Sequence, residues 1–188
     1  MNEVNEVMNG FSFGAVFSLA FAESGISLEK LLTTLGMSRA NYYNRLYNFN
    51  KNTGDMNTFI SFVNAINLKV KFCFVSDDVL LDSSMCFQEI VETLNLDPRD
   101  YIHILKKMQK QEYTDMPLGF LIELLAIKEN VSLPELAEKL KISKRALLYN
   151  LNTYNEKKGR IKNFLQTFNH LGYQVTILLV DEEIKNNP

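Results

Sequence analysis

The chain has 188 residues, 46% of them hydrophobic and 22% charged, with 20 Lys and Arg against 22 Asp and Glu. These are the proportions of a globular protein with enough apolar material for one large core or two small ones. No apolar run reaches the ~20 residues a bilayer demands, and Cys73 and Cys86 stand outside any CxxC or Cys/His pattern, so membrane insertion, a disulfide framework and a structural metal are not expected.

Residues 1–10 carry two glutamates and no basic region ahead of an apolar stretch, unlike a secretory leader, and a cytoplasmic location is expected. The uncharged stretch Phe13–Ala22 predicts a first helix, with Gly25 suited to its C-terminal cap. Ser27 is an N-cap for a helix to Leu35, in which Leu28, Leu31, Leu32 and Leu35 share one face. After a three-residue break, Ser38 caps a helix to Leu46. Tyr42 and Leu46 point inward from it, and the outward positions lie at its N-terminal end. A polar loop with Gly54, a fourth helix around Phe59–Ile66 and a β-rich run Leu68–Val75 follow.

Residues 76–115 lack glycine and carry 4 basic against 9 acidic residues. Cys86–Leu105 reads as two helices, with Asp97 the N-cap and Pro98 the first helical position of the second. At an offset of 59 its apolar positions match the earlier pair of helices: Phe87 with Leu28, Ile90 with Leu31, Leu94 with Leu35, Tyr101 with Tyr42 and Leu105 with Leu46. The segment reads either as a degenerate third copy of that pair or as an ordinary helical hairpin. Asp97 and Asp100 would repel phosphate, so a spacer or a surface for a protein partner suits it better.

Residues 118–180 then repeat 13–75 at a constant offset of 105 and without a gap. There are 14 identities over 63 positions, where chance gives roughly four. The repeated elements are a helix Leu118–Ile127 ending near Asn130, a cap at Ser132 with Pro134 in the first turn, a helix to Leu140, and a cap at Ser143. A helix to Leu151, a loop with Gly159, a helix Phe164–Leu171 and a β-rich run Tyr173–Val180 complete it. Both repeats are basic, +3 over 11–75 and +4 over 116–180, while 76–115 carries −5. Three parts are therefore expected: 11–75, the acidic helical connector 76–115, and 116–180. Both β-runs are apolar on both faces and need an edge partner. The simplest is the run of the other repeat, paired antiparallel about a pseudo-twofold axis. Pairing with another chain, giving a homodimer, is the alternative.

A short helix, a three-residue turn, and a second helix with a polar, basic N-terminal end form the helix-turn-helix arrangement. Ser27–Leu46 with Asn67–Val70, and Ser132–Leu151 with Leu171–Val175, resemble the lambda-repressor-like (Cro/repressor, XRE-type) helix-turn-helix family. They are most similar to the antitoxin and phage or mobile-element regulators whose unit ends in a β-strand. Leu32 departs from the family's usual Ala in the second helix, which Ala137 keeps. The resemblance implies a mainly α fold: two helix-turn-helix units, each ending in a β-strand, the strands joined in a small antiparallel sheet, with a helical acidic insert between. It also implies double-stranded DNA as the partner of a transcription regulator, probing two half-sites about one DNA turn apart, roughly 34 Å.

Groove reading falls to residues at the start of the second helix, and phosphate to cap hydroxyls and flanking cations. The first repeat offers Arg39, Asn41 and Asn44 to base edges, with Arg45 and Lys51 near phosphate. The second offers Lys144, Arg145 and Tyr149, with Lys157, Lys158, Arg160 and Lys162 as a phosphate-binding loop. Ser27, Ser38, Ser132 and Ser143 could each donate to phosphate at a helix start. Residue by residue, the plainer reading is a helix cap or a solvated basic face. No Ser/His/Asp grouping, glycine-rich phosphate loop or metal spacing is present, so neither an enzyme nor a cofactor is expected. A second class stays open: a protein-binding inhibitor or adaptor, such as an anti-defence protein, that keeps the scaffold and uses 76–115 toward its partner.

Overall fold

The computed structural model describes residues 11–109 and 116–181. The readings made on residues 1–10, and on the connector's last six residues, 110–115, lie outside them. Among the described residues the chain is mostly helical, with a small three-stranded antiparallel sheet.

Side-chain caps set most helix starts. Ser12, Ser27 and Ser38 accept from the amides of Ala15, Lys30 and Asn41, and so open α1 (Phe13–Glu23), α2 (Leu28–Leu35) and α3 (Arg39–Asn50). Helix α4 (Met56–Asn64) and strand β1 (Leu68–Val75) follow. A strand that sequence periodicity does not reveal, β2 (Leu80–Asp82), comes next. Then come α5 (Phe87–Thr93), capped by Cys86, and α6 (Pro98–Met108), capped by Asp97. The second repeat supplies α7 (Leu118–Lys128), α8 (Leu133–Lys139), α9 (Lys144–Asn155), α10 (Ile161–His170) and β3 (Gln174–Asp181).

The elements of the first repeat thus recur 105 residues on, β3 one residue later still. Backbone handedness recurs with them. Gly25, Gly36, Asn52 and Asn67 have φ of 66°, 60°, 52° and 61°, and Asn130, Lys141, Lys157 and Gly172 have 54°, 56°, 52° and 88°. These left-handed positions end helices and turn the chain, a conformation that favours Gly and Asn.

The described residues form two compact units. One runs as far as Phe72 and takes in Arg160–Lys162 and the described residues from Thr176 on; the other holds Cys73–Gly159 and Asn163–Val175. The core of the first is aromatic: Phe49 meets Phe59 at 5.3 Å and Phe62 at 5.2 Å edge-on, and Tyr42 stacks on Phe62 at 5.7 Å. In the second, Leu121, Ile122, Leu124 and Leu125 of α7 are fully buried, as are Leu136 and Leu147, and Phe74 stacks on Phe168 at 4.5 Å. The sheet has the order β2-β1-β3, and β2 runs antiparallel to β1 with Phe74 opposite Leu81. The two long apolar strands are therefore neighbours, and β2 covers the other edge of β1.

Candidate nucleic-acid interface

The two helix pairs are built alike. In each, a left-handed residue (Gly36 or Lys141) closes the first helix, and a serine two residues on (Ser38 or Ser143) opens the next. Leu31 and Tyr42 anchor the first pair from inside, and Leu136, Leu147 and Leu151 the second. Leu46 is half-buried. The departure at Leu32 is accommodated because its side chain is only half-buried, whereas Ala137 is buried.

This anchoring leaves Arg39, Asn41 and Asn44 of α3, and Lys144, Arg145 and Tyr149 of α9, exposed. Their surroundings differ. Arg39 is held by Glu29 of α2, Nη2 to Oε1 at 2.8 Å, with both groups well solvated. No described carboxylate lies within salt-bridge range of Lys144 or Arg145. The open cationic charge therefore stands at the start of α9.

All four candidate serines act as caps, their Oγ accepting an amide at 3.1–3.4 Å. Ser132 also donates its backbone N–H to Glu135 Oε2 at 2.7 Å, closing a capping box, and its hydroxyl proton to the same oxygen at 2.7 Å. Those hydrogen bonds hold the Glu135 carboxyl below the usual carboxylate range. An anion already occupies the start of α8, which leaves that serine unsuited to phosphate.

Other cations are partnered. Lys51 donates to Tyr47 Oη and lies 4.2 Å from that ring's centroid. Lys158 reaches Glu156 at 2.7 Å, an ion pair that raises its ammonium pKa. Within the first unit, Asp55 takes Arg160 Nε at 3.4 Å and Arg45 Nη1 at 3.8 Å. Asp55 and Arg160, equivalent positions of the repeats, also form a β-bridge, and Ile161 N donates to Gly54 O at 3.0 Å. Lys162 is exposed, and Lys157 is half-buried at its left-handed position.

Several participants escape a reading of the sequence. Glu29 pairs with a cation ten residues on, and Asp55 with one ten residues back and another 105 residues on, spacings that no helical period links. Tyr43 and Tyr47 could have been found: with Arg39 and Lys51 they form an i, i+4 stripe along α3, and both are exposed. Among the described residues, no group of three His, Cys, Asp or Glu is placed to hold a metal, and no helix is long and apolar enough to cross a membrane. In comparisons with protein-family models, curated proteins and solved structures, nothing matches this chain.

Proposed function

We propose that the chain is a sequence-specific, double-stranded DNA-binding transcription regulator of the kind phages and mobile elements carry, occluding a promoter by laying α3 and α9 into the major groove. One observation carries the reading: the cap, helix, left-handed turn, cap and helix sequence of the first repeat recurs 105 residues on, and in both repeats exposed cations follow the second cap, Arg39 in the first and Lys144 with Arg145 in the second. Lys144 and Arg145 are the foremost base or phosphate contacts, since Arg reads guanine through two hydrogen bonds.

A protein-binding adaptor is the second reading. Among the described residues, four of the eight exposed large hydrophobic side chains, Tyr43, Tyr47, Leu148 and Tyr149, lie on α3 and α9. Tyr is a frequent anchor of protein interfaces.

The test is retention of a random duplex library by the purified chain across a salt series. A regulator loses affinity steeply as salt rises, and Lys144→Ala with Arg145→Ala should flatten the log–log slope by roughly one to two. No retention at low salt would exclude the DNA reading and favour the adaptor.

A further inference from the structure

The repeats offer an internal control for one helix face. In the second unit, Met116 just ahead of α7 and Phe120, Glu123 and Leu124 on it are buried, and α6 lies over them: Lys107 Nζ reaches Glu123 Oε2 at 2.8 Å and stands 6.0 Å from the Phe120 ring centroid. The equivalent positions of the first repeat are Phe11, just ahead of α1, and Ala15, Ser18 and Leu19 on it, the same side continuing to Ala22. Phe11 is 55% exposed and Leu19 47%, against 3% for Met116 and none for Leu124. Ala15, Ser18, Leu19 and Ala22 form a stripe along one side of α1 at 3.6 residues per turn, opposite buried Phe13 and Phe17, and Phe11 precedes the helix cap.

We propose that this stripe is a self-association surface, on which α1 of a second chain packs antiparallel across a twofold axis. Three features favour that occupant. The stripe carries no charge, and Ser18, where α7 has Glu123, satisfies its hydroxyl by donating to Gly14 O at 2.7 Å. The Lys107–Glu123 pairing that seats α6 on α7 thus has no counterpart here, and the surface calls for an uncharged helix face, which α1 itself provides. Bulky Phe11 and Leu19 alternate with small Ala15 and Ala22, so an inverted copy offers a hollow for each knob. A patch that binds itself closes after two chains, whereas one that binds a different face leaves an open series. The proposal is independent of what α3 and α9 bind.

Sedimentation equilibrium of the full chain, from low to high micromolar, tests it. The wild type should be a reversible dimer, and Leu19→Glu, which sets a carboxylate against the apolar hollow of the second chain from an already exposed site, should weaken association at least tenfold with unchanged helical circular dichroism. In a Cys86→Ser background, where buried Cys73 is the remaining thiol, Ser18→Cys should form an interchain disulfide on mild oxidation. A monomeric wild type throughout, or a dimer that survives Leu19→Glu and yields no Ser18→Cys cross-link, overturns the proposal.

Discussion

Gly14 and Gly119 are retained in both repeats for a steric reason. A Cβ on Gly119 would lie 2.0 Å from Leu151 O and 2.7 Å from Asn155 Oδ1, and one on Gly14 would lie 2.3 Å from Asn50 Oδ1. Asn155, another retained identity, accepts from Phe120 N at 3.0 Å. A backbone carbonyl cannot swing aside, so Gly119→Ala must push α7 off α9. We expect a loss of roughly 2–3 kcal/mol from such overpacking, read from the urea midpoint; an unchanged midpoint would refute the close approach. Tyr154 shows the opposite situation. Its ring is buried against Phe164 at 5.3 Å, while its hydroxyl is buried with no hydrogen-bond partner among the described residues. Burial pushes its pKa to about 12. The neutral phenol is therefore the folded form. Its contribution is intact below pH ~10, where a free tyrosine titrates, and is lost as pH rises from there toward the folded value. Tyr154→Phe should raise the midpoint of alkaline unfolding and cost little at neutral pH. Some alkaline sensitivity should remain, because burial and the bond to Glu129 raise Tyr173 as well.

At the scale of elements, caps and apolar spacing made the helix pairs legible, because a serine cap and a hydrophobic face are local signals. Ser27, Ser38, Ser132 and Ser143 all cap as expected, and α3 and α9 start one residue after their caps. The acidic connector was legible in the same way. Its caps Cys86 and Asp97 and its left-handed Asn95 stand 59 residues after Ser27, Ser38 and Gly36, so the helix and turn positions follow the apolar match found in the sequence. Its chemistry does not follow. Asp97 caps α6 and binds Arg99 at 2.6 Å, which lowers its carboxyl pKa, and the α6 face with Ile104 is buried in its own unit. Strand β2 was not legible, since three residues carry no period; its place is set by pairing with β1. The ion pairs that constrain the candidate interface were not legible either, because Glu29 meets Arg39 only once the turn at Gly36 has folded α2 and α3 together.

For the whole molecule, a net charge of −2 is a poor guide to partners, because the sign changes along the chain. What matters for a polyanion is which cations remain open once the chain has folded. Folding gives Arg39, Arg45, Lys158 and Arg160 carboxylate neighbours and leaves none in range of Lys144 and Arg145 among the described residues. If both α3 and α9 meet DNA, the Glu29 carboxylate opposes the approach of phosphate to α3 twice over, by its own charge and by holding Arg39. Glu29→Gln should then tighten duplex binding by roughly three- to tenfold at low salt, and the gain should shrink as salt screens both effects. The fold should be unaffected, since both side chains are exposed. Binding isotherms of wild type and variant across the same salt series check this. An unchanged affinity, alongside a loss in the Lys144→Ala, Arg145→Ala variant, would mean that α9 alone engages DNA and that the tyrosine-bearing face of α3 serves another partner.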